Sequence, residues 1–156
     1  MAIKIGDKAP LFTLKNTDNK EISLSDYQNN RNVLVLFFPL AFTGVCTTEL
    51  CSTRDNMKLY ESLNAEVLAI SVDSMFSLNA FKQAQNYNFN LLSDFNKETA
   101  QAYGILYEDF MGMKGVAKRS AFVIDKEGTI QYSEVLEQAS DLPDFDSIQS
   151  VLAGLN

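Results

Sequence analysis

The chain alternates between short apolar runs and longer segments with a helical period, and this pattern predicts a mixed α/β fold. Residues 33–38 and 67–72 form two almost entirely apolar runs, which are typical of strands buried on both faces of a sheet. The first run stops at Pro39, which cannot donate a hydrogen bond to a neighbouring strand. Between the runs, apolar residues recur at spacings of three and four over residues 43–63, which predicts a helix. The strand–helix–strand unit favours parallel pairing of its two strands.

Shorter elements on either side complete the prediction. Alternating apolar and polar residues predict β-hairpins over residues 11–24 and 121–132. Three more helices are predicted over residues 77–86, 97–103 and 143–152, and a short strand over residues 91–92. Pro143 opens the last helix, and Gly154 follows it. We therefore predict one domain over residues 1–156. Its expected architecture is a thioredoxin-like α/β fold, in which a mixed central sheet with an N-terminal β-hairpin is flanked by helices.

Composition narrows the possible functions. The net charge of −7 argues against nucleic-acid or anionic-membrane partners. The chain has no histidine and two cysteines, so it lacks the commonest metal ligand and cannot close a tetrahedral zinc site with cysteines. We therefore expect neither a metal nor a cofactor. Because the apolar runs are too short to span a bilayer and the first residues do not resemble a secretory signal, we expect a cytoplasmic protein. In a reducing compartment, a close cysteine pair is more often catalytic than structural.

The segment that joins the first buried strand to the following helix carries the candidate chemistry. It contains Pro39, Thr43 and Cys46 at the spacing Pro-x3-Thr-x2-Cys. Cys46 falls in the first helical turn, where free N–H groups and the positive dipole end favour a thiolate, the nucleophilic form of cysteine. The Thr43 hydroxyl could donate to this thiolate or accept from a bound substrate, or it could serve as the helix N-cap. Pro39 could cover one side of a pocket or simply end the strand.

This spacing resembles the characteristic loop of the peroxiredoxin family. The likeness continues, in order, through residues 51–55, 91–96 and 119–128 and so covers nearly the whole chain. Residues 39–44 look like the AhpE-like group, whereas a second cysteine five positions after the first looks like the Q-type (bacterioferritin comigratory protein) group.

The resemblance implies a thiol-dependent peroxidase that reduces hydrogen peroxide and organic hydroperoxides, with Cys46 as the peroxidatic residue. It also places Arg119, from a distant strand, at the thiolate. A guanidinium there would favour ionised sulfur and stabilise charge on the leaving oxygen. Glu49 could orient Arg119 through an ion pair, or it could merely favour the helix N-terminus.

The role of Cys51 depends on helix geometry. Residues five apart in an α-helix have Cα atoms about 8.6 Å apart, whereas a disulfide needs roughly 4.4–6.8 Å. A Cys46–Cys51 disulfide therefore requires the first turns of the helix to unwind. We favour such a disulfide because the spacing matches the Q-type pattern. The alternative is that Cys51 is a packing residue and an external thiol resolves Cys46.

Two rival functions are a thiol–disulfide oxidoreductase and a non-enzymatic redox sensor. The first normally requires a Cys-x-x-Cys pair, and the pair here is Cys-x4-Cys. Thr43 and Arg119 favour turnover over sensing, because a sensor needs no group that stabilises a leaving oxygen. The resemblance further implies a thioredoxin-like protein or a low-molecular-weight thiol as reductant, and a homodimer to which Phe42 could contribute.

Overall fold

A central sheet of seven strands organises the computed structural model, which describes residues 3–156. The strands are β1 (Thr13–Asn16), β2 (Glu21–Ser23), β3 (Asn32–Phe37), β4 (Ala65–Ser71), β5 (Asn90–Ser93), β6 (Ser120–Ile124) and β7 (Ile130–Val135). The helices are α1 (Gly44–Asp55), α2 (Met57–Ser62), α3 (Met75–Gln85), α4 (Glu98–Ala102) and α5 (Phe145–Gly154), and a 3-10 turn covers Leu24–Tyr27.

The sheet has the strand order β2-β1-β5-β4-β3-β6-β7. Strands β3, β4 and β5 are mutually parallel, and the other neighbours pair antiparallel. The predicted mixed sheet, the two hairpins and the parallel pairing across the first helix are therefore confirmed.

Alternate side chains of β3 enter two separate cores. Leu34 and Leu36 pack on one face with residues of α1, α2, α3 and α5. Val33, Val35 and Phe37 pack on the other face with α4 and the N-terminal segment. Every residue of β3 is buried, which explains why residues 33–37 are all apolar.

The single helix predicted over residues 43–63 is wrong, because the structure breaks it at Asn56. The backbone of Asn56 leaves the helical region (φ −106°, ψ 12°). Its side-chain amide donates to the Ser52 carbonyl at 3.0 Å, and this local hydrogen bond competes with continuation of the helix. Two consecutive helices, α1 and α2, result.

The closing helix also starts later than predicted. Asp144 is its N-cap and accepts a hydrogen bond from the Ser147 amide, so Pro143 lies one residue before the cap. Gly154 belongs to the last turn instead of following it.

The parallel arrangement determines where a site can form. Strands β3, β4 and β5 end at the same edge of the sheet, which is where ligand sites of α/β folds occur. From this edge, β3 leads through residues 38–43 into α1. Within residues 3–156, no helix is long and apolar enough to cross a membrane.

Candidate active site

Cys46 lies in the first turn of α1, as the sequence predicts. Thr43 is the N-cap residue and has an extended backbone (φ −91°, ψ 153°), and the helix begins at Gly44. Cys46 is fully buried and carries a free thiol. The unpaired N–H groups of this first turn place positive charge near the sulfur.

Arg119 lies directly against Cys46. Its Nη2 donates to Cys46 Sγ at 3.2 Å, and its Nη1 donates to Glu49 Oε1 at 2.6 Å. Its Nε donates to the carbonyl of Ala139 at 3.1 Å. Three anchored nitrogens on a side chain that is 2% exposed hold the guanidinium in one orientation. Arg119 precedes β6, which pairs with β3, so the sheet brings two distant segments together at the sulfur.

Glu49 supports this arginine from the same helix face as Cys46, because residues three apart lie side by side on a helix. The carboxyl is fully buried, and its Oε2 has no hydrogen-bond partner within residues 3–156. Burial raises the pKa of Glu49 to about 7, against the lowering effect of the Arg119 charge and hydrogen bond. The 2.6 Å contact between Arg119 Nη1 and Glu49 Oε1 matches the first of the two predicted possibilities, and the role of Glu49 in orienting Arg119 stays a prediction.

The raised pKa of Glu49 predicts a specific pH dependence of stability. Between about pH 4.5 and about 7, the native carboxyl keeps a proton that the unfolded chain has lost. The free energy of unfolding should therefore fall as the pH rises through this window, on the order of 3 kcal/mol for this group. Urea unfolding across the window, compared with Glu49→Gln, measures this slope. Equal slopes in both proteins would show that Arg119 keeps Glu49 ionised throughout.

Pro39 and Thr43 occupy the loop that connects β3 to Cys46. Pro39 is buried and Thr43 is exposed. The Thr43 hydroxyl donates to the Leu40 carbonyl at 2.8 Å, and no hydrogen bond joins Thr43 Oγ1 to Cys46 Sγ within the described residues. Because a hydroxyl has one proton, Thr43 in this conformation offers the site acceptor lone pairs. Donation to the Cys46 sulfur is therefore not seen in this conformation, and acceptance from a substrate stays a prediction.

Cys51 lies further along α1 and away from Arg119. Its thiol is half-buried, donates to Gln85 Oε1 at 3.5 Å and lies 3.7 Å from the Tyr87 hydroxyl. Because α1 is continuous from Gly44 to Asp55, the two cysteines stay beyond disulfide distance in this conformation. The sequence did not indicate Gln85 or Tyr87, since neither forms a motif with Cys51.

The sequence also did not indicate Asp73, which follows β4 at the same sheet edge. Its Oδ2 accepts hydrogen bonds from the Ala41 amide at 2.8 Å and the Ser71 hydroxyl at 2.6 Å. The sequence signal that could have indicated Asp73 is a polar residue directly after a buried strand, because parallel strands end at the same edge of the sheet as the site.

A surface cavity of about 390 Å³ lies beside the start of α3 and the end of β5. Its wall includes Phe76 and Phe95 but neither cysteine. This cavity is therefore separate from Cys46, Arg119 and Glu49. Across residues 3–156, no group of three or more Cys, Asp and Glu side chains is arranged to hold a metal ion.

Comparison with known proteins agrees with this site. Residues 5–133 match the model of the AhpC/TSA family. The chain is 43% identical over 145 residues to the chloroplastic 2-cysteine peroxiredoxin of Chattonella marina var. antiqua, covering 86% of this chain and 72% of that protein. It is 36% identical over 155 residues to alkyl hydroperoxide reductase E of Mycobacterium tuberculosis, covering 98% of each. The chain spans about half the length (52%) of its spinach and Arabidopsis thaliana relatives, both 2-Cys peroxiredoxins.

Solved structures show the same relationship. Peroxidoxin BcpB from Mycobacterium tuberculosis superposes with a TM-score of 0.88 at 27% identity, covering 99% of each chain. The thioredoxin-like fold and the predicted resemblance are confirmed. The chain belongs to the AhpC/TSA family of peroxiredoxins, which are thiol-dependent peroxidases.

Proposed function

We propose that Cys46 is the peroxidatic residue and that the protein reduces hydrogen peroxide and organic hydroperoxides. The observation that carries this proposal is the 3.2 Å contact between Arg119 Nη2 and Cys46 Sγ in a buried site. A permanent positive charge at this distance favours the thiolate. The position at the start of α1 acts in the same direction.

The proposed first step is attack of the Cys46 thiolate on the distal oxygen of the hydroperoxide. An S–O bond forms as the O–O bond breaks, so the sulfur is oxidised to a sulfenic acid. The remaining oxygen leaves with the electron pair of the O–O bond and takes up a proton to become an alcohol or water. Arg119 N–H groups stabilise the charge on this oxygen during departure.

Other residues of the site prepare this step. Glu49 fixes the guanidinium through its 2.6 Å contact with Nη1. Thr43 accepts a hydrogen bond from the hydroperoxide O–H, and the buried Pro39 closes one side of the pocket without offering a competing N–H.

For the second step, we favour attack of the Cys51 thiol on the Cys46 sulfenic acid, which forms a disulfide and releases water. The two residues lie on one continuous helix, so α1 must partly unwind first. A second candidate is a one-cysteine cycle, in which an external thiol attacks Cys46. The contacts of Cys51 with Gln85 and Tyr87, which hold it away from the site, favour that candidate.

Mass spectrometry after one equivalent of hydrogen peroxide separates the two cycles. Loss of two hydrogen atoms, with Cys46 and Cys51 joined in one peptide, is expected for the disulfide. In Cys51→Ser, the mass should instead rise by one oxygen, on Cys46. A stable gain of one oxygen in the unaltered protein would contradict a resolving role for Cys51.

The disulfide or mixed disulfide must then be reduced by a thiol, for which a thioredoxin-like protein or a low-molecular-weight thiol is the proposed partner.

We also propose a homodimer and a cytoplasmic location. Phe42, 57% exposed on the active-site loop, supports the first of these. Sedimentation velocity would test the dimer.

A further inference from the structure

The loop before Cys46 is fixed at one peptide group from both sides. The Ala41 N–H donates to Asp73 Oδ2 at 2.8 Å. The Leu40 carbonyl accepts from the Thr43 hydroxyl at 2.8 Å. Because this carbonyl and this N–H belong to the same planar peptide bond, they point in opposite directions and rotate together. The orientation of the carbonyl that holds Thr43 is therefore set by the acceptor that holds Ala41.

Asp73 is itself fixed to the sheet. Its Oδ2 also accepts from the Ser71 hydroxyl at 2.6 Å, and its own amide donates to Ser71 Oγ at 3.2 Å. Its carbonyl accepts from the Ser93 hydroxyl at 2.6 Å. These contacts tie the aspartate to the ends of β4 and β5, which are rigid elements. The loop, by contrast, contains Phe42 in the left-handed region (φ 65°), a strained conformation for a residue with a Cβ.

We propose that Asp73 is a positioning residue for peroxide reduction, acting through the Leu40–Ala41 peptide on the Thr43 hydroxyl. While Asp73 holds the peptide, the Thr43 proton points to Leu40 and its lone pairs remain free for the hydroperoxide O–H. Without Asp73, the peptide can rotate, and the hydroxyl loses its fixed acceptor. The substrate then loses an oriented partner, and this is expected to slow its reaction with Cys46 about ten- to a hundredfold. This inference rests on the proposed roles of Cys46 and Thr43.

The test compares two reactions of Cys46 in reduced protein. Oxidation by hydrogen peroxide uses Thr43, whereas alkylation by iodoacetamide reports access to the thiolate without it. Asp73→Ala should slow oxidation but leave alkylation close to that of the unaltered protein, while the melting temperature falls because the Ala41 amide and the Ser71 hydroxyl lose their acceptor. Asp73→Asn keeps an acceptor for the Ala41 N–H and should retain oxidation within about threefold. Asp18→Ala, an exposed aspartate on the β1–β2 turn, is the matched control and should change neither reaction.

The decisive measurement is coupling between Asp73 and Thr43. If Asp73 acts through Thr43, then Asp73→Ala combined with Thr43→Val should oxidise no more slowly than Thr43→Val alone, within about twofold. Additive losses would overturn the proposal, as would unchanged oxidation in Asp73→Ala or an equal loss of alkylation. Should Asp73→Ala fail to fold, Asp73→Ser replaces it, because its shorter side chain keeps a polar group but does not reach Ala41. Full peroxidase activity in Cys46→Ser would instead refute the proposed function itself.

Discussion

Replacement of Cys46 by serine is expected to abolish peroxidase turnover, with a loss of at least about a thousandfold in the rate of peroxide consumption. A serine hydroxyl is a much weaker acid and nucleophile than a cysteine thiol, and it does not form a sulfenic acid. The fold should be retained, because the substitution exchanges one small side chain for another. The measurement is hydrogen peroxide consumption in the presence of excess dithiol.

Cys51→Ser is the matched control for this experiment. It makes the same chemical change on the same helix, at a half-buried position away from Arg119. Its first turnover should be preserved, because the sulfenic acid on Cys46 still forms. Peroxide consumption by Cys46→Ser at the rate of the unaltered protein would show that another group carries the reaction, and single-turnover behaviour of the unaltered protein would favour a redox sensor.

The apolar pattern predicted the fold where burial alone decides structure. β3 is buried on both faces, so its continuous apolar run had one interpretation. The break between α1 and α2 was not predictable from periodicity, because the apolar spacing continues across Asn56. That break depends on a side-chain hydrogen bond to Ser52, which competes with the helix only through local geometry.

The residues of the site also fall into those that the sequence could predict and those that it could not. Cys46 and Thr43 are neighbours along the chain, so their spacing already placed them in one helical turn. Arg119 reaches the sulfur through β6, and its position was predicted from family resemblance, not from local pattern. The proton of Thr43 and the acceptor role of Asp73 depend on the orientation of one peptide group. No sequence pattern predicts the orientation of this peptide group, because it depends on contacts between residues that are distant along the chain.

Replacement of Arg119 by alanine is expected to slow oxidation of Cys46 about a hundred- to a thousandfold. The substitution removes both the charge at the sulfur and the donors for the leaving oxygen. Since the chain has no tryptophan, the rate is best followed by rapid quenching with an alkylating agent and mass analysis. Lys118→Ala is the matched control: this neighbouring cation pairs with Glu137 on the surface at 3.0 Å and should change the rate less than about twofold.

Stability must be separated from chemistry in the Arg119 variants, because the arginine is also the partner of a buried carboxylate. Its loss leaves Glu49 buried and unpaired, which costs on the order of 3 kcal/mol if Glu49 stays ionised. Glu49→Gln in the Arg119→Ala background removes that charge and should recover stability without recovering the oxidation rate.

Arg119→Lys then separates the contribution of charge to the oxidation rate from that of donor geometry. Lysine keeps the charge but lacks the planar fork that contacts sulfur, Glu49 and Ala139 together. A rate close to that of the unaltered protein in Arg119→Lys would assign the effect to charge alone. A rate close to that of Arg119→Ala would assign it to the fixed donor geometry, and recovery of the rate in the Glu49→Gln double variant would show that Arg119 acts only on stability.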